Sequence, residues 1–427
     1  MAEEYATKKQ MVSNKAYILG RKNQDSDAAL YIGNFHALDS SLGSSVFMDV
    51  SHPHVCLICG KRGYGKSYTM GVLVEEIAKQ KPSIRKKLSI ILVDTLGIFW
   101  SLSFPNKKQE TLLEHWGLSI KGFNIQLFST SKDFHLKKEN ERVKIQKLLI
   151  KTADLSSLHW CQLFNLKPTD TIAIVISKAV LELQKNKGEY TIDDILYQIK
   201  DDESADAISK TAAENMFTMV KSWNVFSKKG FDITNLLNTG TINILDLSAI
   251  DNDFLKTIIV SIIADKLFNT RVEARKITEL NNMKISDEEN LIPLVWLAID
   301  EAQLFVPRNK DLLSNTILKD RWMRQGRQPG LSLILATQKP SLIDPEIFSH
   351  SDLIFCHRLT AGEDIQSLKQ IHPTYMKSDM QNQITRLGSE KGVALVIDDT
   401  QERVNVIKIR PRQSWHGGGE PSVMEFS

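Results

Sequence analysis

The sequence predicts an α/β protein built on a mostly parallel sheet with helices on both faces, and three observations carry that prediction. Residues 60–67 read Gly-Lys-Arg-Gly-Tyr-Gly-Lys-Ser, a complete phosphate-loop pattern. An apolar run, Leu294 to Ile299, delivers two carboxylates, Asp300 and Glu301, at its end. Between and after these segments, short apolar runs alternate with helical patterns, as expected of parallel strands joined by helical crossovers.

The phosphate loop has the flanks it requires. Val55 to Cys59 is a short apolar run of the kind a buried parallel strand shows. After the loop, Met70, Leu73, Val74, Ile77 and Ala78 recur at helical spacing until Pro82. Gly60, Gly63 and Gly65 permit a tight turn that aims several backbone N–H groups at one point, where a helix N-terminus also favours an anion. Lys66 reaches toward the β- and γ-phosphates, and Ser67 offers its hydroxyl to Mg²⁺. Gly60, Lys61, Arg62, Gly63, Tyr64, Gly65, Lys66, Ser67 and Tyr68 are therefore the candidate nucleotide contacts.

The remaining chemistry is placed by strand ends, because ligands of parallel sheets bind at the carboxyl ends of strands. Asp300, with Ser67, would hold the metal shell, and Glu301 would act as general base on the attacking water. The next strand, Leu331 to Thr337, ends at Gln338, whose amide can both donate and accept and so can sense a γ-phosphate or orient water. Before that strand, Arg321, Arg324 and Arg327 stand within seven positions. A guanidinium supplied by a neighbouring subunit stabilises charge in phosphoryl transfer; Arg324 and Arg327 are the candidates, ahead of Arg321.

Other signals divide the chain. Residues 1–50 form a short β-rich segment with strand-like pieces at Tyr17 to Leu19 and Leu30 to Ile32. Residues 51–131 are the first part of the core, with strands at 55–59, 88–93 and 124–128. Residues 132–239 read as a helical insertion in which strand signals almost vanish; its run from Lys137 to Arg142 fits a solvated helix face. Residues 240–416 return to the core, with strands at 241–247, 294–299, 331–337 and 352–357, an apolar helix over Phe254 to Phe268, and an antiparallel hairpin of Val393 to Ile397 with Val404 to Ile409 at the sheet edge. Residues 417–427, opening on three glycines, are expected to be a flexible tail.

Composition bounds the setting. A length of 427 residues suits one large domain with insertions or two to three smaller ones, and a net charge of +3 neither requires nor excludes nucleic acid. No apolar stretch approaches the ~20 residues of a membrane span, and the first residues carry no secretory pattern, so a cytoplasmic protein without a membrane partner is expected. Cys56 and Cys59 sit three apart on a strand and point to opposite faces, which disfavours a shared metal; with Cys161 and Cys356 they are expected to be buried thiols.

The segments GKRGYGKS, VDTLGIFW, LAIDEAQLFVP, RQGRQPGLSLILATQKP and RPRQSWHGG, in that order between about residues 51 and 418, resemble the HerA-like ATPases of the HerA/FtsK superfamily, ring motors that move DNA. The resemblance implies a RecA-like core, a homo-hexamer, double-stranded DNA in the channel and Mg²⁺-ATP as fuel. It also implies a nuclease or other effector as partner, in DNA end processing or anti-phage defence. Carried over to this chain, Arg327 is the trans-acting finger and Arg324 its close rival. Family members often bring an N-terminal β-barrel, and the segment preceding the core here is shorter than one, which points to a trimmed branch. A conjugation or secretion ATPase, and a nucleotide-gated assembly protein that does not translocate, are the alternative functions.

Overall fold

The computed structural model describes residues 17–22, 27–37, 39–130, 141–289, 292–369, 387 and 390–418. Fifteen strands lie among them: β1 (Tyr17–Leu19), β2 (Ala29–His36), β3 (Leu42–Asp49), β4 (Val55–Cys59), β5 (Leu88–Asp94), β6 (Ile125–Ser129), β7 (Val143–Lys147), β8 (Ile150–Lys151), β9 (Phe226–Ser227), β10 (Ile242–Asp246), β11 (Leu294–Ile299), β12 (Leu331–Thr337), β13 (Leu353–Cys356), β14 (Val393–Asp398) and β15 (Arg403–Ile409). Thirteen make one sheet in the order β1-β3-β2-β15-β14-β13-β4-β12-β11-β5-β10-β6-β7, and β8 pairs with β9 apart from it. From β13 to β7 every pairing is parallel, which is the α/β core that the alternating pattern predicts.

Two expectations are corrected by strand pairing. The β14–β15 hairpin is not an edge: β15 pairs antiparallel with β2, so the backbone groups it would have left open carry the N-terminal strands into the main sheet. The segment read as helical from residue 132 contains β7, which pairs parallel with β6. Its alternating Val143-Lys144-Ile145-Gln146-Lys147 needs only one buried face, because it is the last strand of the sheet. The charge run from Lys137 to Arg142 lies for its first four residues outside the described residues. Beyond β7 the insertion is helical, with α2 (Ser157–Leu163), α3 (Thr171–Lys187), α4 (Ile192–Asp201) and α5 (Ala207–Ser222) packed around Trp160 and Phe217.

The strand alternation sorts the core onto two faces. Cys56 and Ile58 of β4 join the layer of α1 (Lys66–Ala78), while Leu57 and Cys59 join the layer of the insertion and α6 (Asp253–Asn282). The two cysteines thus face opposite ways, and all four cysteines are free and buried. In α1 only Ser67 and Tyr68 escape burial, because sheet residues cover one side and the segment 410–416 crosses the other. No helix among the described residues is long and apolar enough to cross a membrane.

The N-terminal ends of the core strands are tied by charge. His54, just before β4, accepts no solvent contact of note and sits between Asp352 Oδ2, 2.5 Å from Nδ1, and Asp49 Oδ2, 3.2 Å from Nε2. Burial opposes its charge, but the two carboxylates prevail and raise its pKa to about 9. The raised folded-state value means that this stabilisation is complete below about pH 6.5 and is lost as pH climbs through about 9; the shift corresponds to up to ~3 kcal/mol. The stability difference between the wild type and His54→Gln, followed by denaturant unfolding, is therefore expected to shrink steadily from pH 6.5 to 10. A difference constant over that range would mean that His54 is not held as the cation.

Candidate active site

The phosphate loop follows β4 and closes on α1, whose N-cap is Gly65 at φ 118°. Gly60 cannot be replaced without movement: a Cβ there would come within 2.6 Å of the Cβ of His357. His357, at the end of the neighbouring β13, is wholly buried and backs the loop. Its Nδ1–H donates to the carbonyl of Val393 (2.9 Å), which leaves Nε2 to accept from the Thr69 hydroxyl (2.8 Å). Burial lowers its pKa to about 4, so the imidazole is a neutral brace between loop, α1 and β14.

Lys66 is 5% exposed; burial lowers its pKa, while Asp300 and Glu301 counter the shift. The Ser67 hydroxyl donates to Asp300 Oδ2 at 2.8 Å, so the two groups assigned to a metal shell face one another. Burial raises the pKa of Asp300, and neighbouring Glu301 adds to the rise while Ser67 and Lys66 oppose it. One carboxylate and one hydroxyl, both hard oxygen donors, suit a Mg²⁺ ion that takes its other ligands from phosphate and water. The residues present fit that ion.

Glu301 departs from ordinary strand geometry, with φ 53° and ψ 48°. A non-glycine residue in the left-handed region costs on the order of 1 kcal/mol or more, and such strain concentrates at functional sites. The twist turns its carboxylate toward β12. There Oε2 accepts from Gln303 Nε2 (2.5 Å) and Oε1 accepts from Gln338 Nε2. Gln303 Oε1 in turn accepts from the Thr337 hydroxyl (2.7 Å). The ends of β11 and β12 are thus laced by a polar chain that fixes the direction of Glu301. Gln303 and His357 are residues that sequence reasoning passed over. Gln303 was visible as an amide two positions beyond the carboxylate pair, and His357 as a histidine closing an apolar strand.

The arginines lie elsewhere. Ile317–Met323 is a π-helix, a conformation frequent at functional sites, and the turn after it precedes β12 at its amino end. Glu301 and Gln338 stand at the carboxyl ends, so the seven-residue β12 separates the two groups by roughly 20 Å. Arg321 is held by Asp265 and lies over the Phe268 ring at 5.1 Å. Arg324 pairs with Asp320 (3.0 Å) and Glu346 of its own chain. Arg327 is exposed, and its side chain has no hydrogen-bond or ion-pair partner among the described residues. Of the two candidates, only Arg327 is free to reach outward.

Comparisons with known proteins place the chain in a family. The family model of the HerA helicase central domain matches residues 31–267, more than half of the chain. The DNA double-strand break repair helicase HerA of Sulfolobus acidocaldarius is 21% identical over 384 residues, covering 86% of this chain and 67% of the relative. A probable helicase of Methanocaldococcus jannaschii is 22% identical over 378 residues, covering 86% and 64%. The chain therefore spans about two thirds of the length of these relatives. Among solved structures, VirB4 of Thermoanaerobacter pseudethanolicus shares the fold, with a TM-score of 0.56 and 12% identity over 94% of this chain and 99% of that one. With its parallel core, its phosphate loop and its paired carboxylates, the chain belongs to the HerA central-domain family of P-loop ATPases.

Proposed function

We propose that the chain hydrolyses ATP with Mg²⁺ as part of a homo-hexameric ring that moves double-stranded DNA in the cytoplasm, with a nuclease or similar effector acting on the DNA it delivers. The observation that carries the reading is the separation of the machinery. Ser67, Asp300 and Glu301 gather at one end of the sheet, while Arg327, exposed and without a side-chain partner among the described residues, stands at the other, which supports a role toward an adjacent chain. The names of the relatives, repair helicases, support DNA as the polymer moved.

In this mechanism Lys66 and the loop N–H groups hold the β- and γ-phosphates. Asp300 and Ser67 would hold Mg²⁺, which supplies neutralisation of the phosphate charge when bound. Glu301, aimed by Gln303 and Gln338, takes a proton from water as its oxygen attacks the γ-phosphorus. The bond from that phosphorus to the β-phosphate oxygen breaks, and ADP leaves. Arg327 of the adjacent chain meets the charge that spreads over the transferring oxygens.

Lys66→Ala is expected to abolish measurable ATP binding and turnover, because a buried cation at the polyphosphate is lost. Hydrolysis by the wild type is expected to rise on addition of double-stranded DNA. Turnover by Lys66→Ala at the wild-type rate would refute the site, and ATPase activity indifferent to DNA would favour the assembly protein over the motor.

A further inference from the structure

The closing motif runs from Arg410 to Gly418. It crosses α1 on the side away from the sheet, over Tyr68, Gly71 and Glu75, which share one helical face. Fully buried Glu75 fixes it there, accepting from Arg410 Nη2 (3.0 Å), Arg412 Nε (3.3 Å), the backbone N–H groups of Gln413 and Ser414 (3.1 Å each) and the Ser414 hydroxyl (2.5 Å). The Arg412 guanidinium fills the space over Gly71, where a Cβ would come within 2.7 Å. The segment is held at Gly417, whose N–H donates to Ser101 Oγ (3.1 Å); of the tail expected over 417–427, residues 419–427 lie outside the described residues.

We propose that Tyr68, His416 and the Gly417–Gly418 backbone form the seat for the base and ribose of the nucleoside triphosphate, with His416 Nε2–H as the donor that reads it. The inference rests on the phosphate-loop reading above. Tyr68 follows Ser67, so a nucleotide whose β- and γ-phosphates lie on Lys66 and Ser67 leaves the loop over the first turn of α1. What meets it there is a ring pair and two side-chain-free residues, with the buried Arg412 guanidinium behind them, 6.0 Å from the centre of the Tyr68 ring. His416 lies edge-on to Tyr68 with 5.3 Å between ring centroids. The Tyr68 hydroxyl is used up, accepting from the Arg412 N–H (2.6 Å) and donating to Gln109 Oε1 (3.0 Å), so it positions the ring.

The tautomer of His416 follows from its partner. Arg412 Nη1 can only donate, and it lies 3.0 Å from His416 Nδ1; Nδ1 therefore accepts and Nε2 carries the hydrogen. Burial and then Arg412 lower the pKa of the ring to about 4, so this single N–H persists at neutral pH. Nε2 lies beside exposed Gly418 and has no acceptor among the described residues. Such a donor suits an acceptor nitrogen of a purine or a ribose oxygen. Ile98 adds an apolar contact, its Cδ1 lying 3.4 Å from where a Cβ of Gly418 would stand.

The test compares ATP with inorganic tripolyphosphate, which has the phosphates but neither base nor ribose, by calorimetry on the full chain with Mg²⁺. His416→Phe keeps a ring against Tyr68 and removes the donor; it is expected to weaken ATP about ten-fold and to leave tripolyphosphate within about two-fold. His416→Gln, which restores an N–H, is expected to recover part of the ATP affinity. Unchanged ATP binding, or an equal loss for both ligands, overturns the proposal. Tripolyphosphate binding that Lys66→Ala abolishes tests the phosphate-loop reading independently, so either reading can fail without the other.

Discussion

Glu301→Gln is expected to retain nucleotide binding and to lower kcat by ~10²- to 10⁴-fold, the range general-base catalysis contributes. The substitution keeps size and one acceptor oxygen, so β11 and the Thr337–Gln303 link should stay in place. What is lost is the group that takes the proton. The replaced oxygen becomes an N–H₂ that faces the amide of Gln303 or Gln338, donor against donor, so the side chain also loses its aim. Equilibrium binding and steady-state phosphate release on the same preparation separate the two effects. A kcat within a few-fold of the wild type would remove Glu301 as the base and shift attention to Asp300.

Arg327→Ala is expected to cost ~10³-fold in kcat or more with little change in nucleotide affinity, because a finger acts on charge that develops in the transition state. Arg324→Ala should do far less. Its guanidinium is already engaged by Asp320 and Glu346 within its own chain, and exposed pairs of that kind are worth ~1 kcal/mol or less. Steady-state hydrolysis by both variants, in the presence of DNA, ranks them. A larger loss for Arg324 would reassign the finger.

Local chemistry was the legible part of this chain. The phosphate loop, the carboxylates after β11 and the glutamine after β12 are contiguous patterns, and each lies at a strand end where the parallel core gathers them. What escaped depends on partners far away in sequence. β15 reads as an edge strand until β2, more than 370 residues earlier, is seen to pair with it. Gln303 matters because Thr337 and Glu301 converge on it, and His357 because the bare Cα of Gly60 lies against it. The three arginines lie within seven positions, and the sequence ranks Arg324 and Arg327 ahead of Arg321 without showing what each one touches. They part only when Asp265 is found on Arg321, and Asp320 with Glu346 on Arg324.

Each site is expected to be completed by the adjacent chain, which mixing two inactive variants can test. Lys66→Ala lacks the loop lysine but supplies Arg327; Arg327→Ala has the reverse. If rings form at random from equal amounts, one interface in four joins an intact Lys66 to an intact Arg327, so ATP hydrolysis should return to about a quarter of the wild-type rate for independent sites. A mixture shown to co-assemble, yet as inactive as its two components, would contradict a shared site.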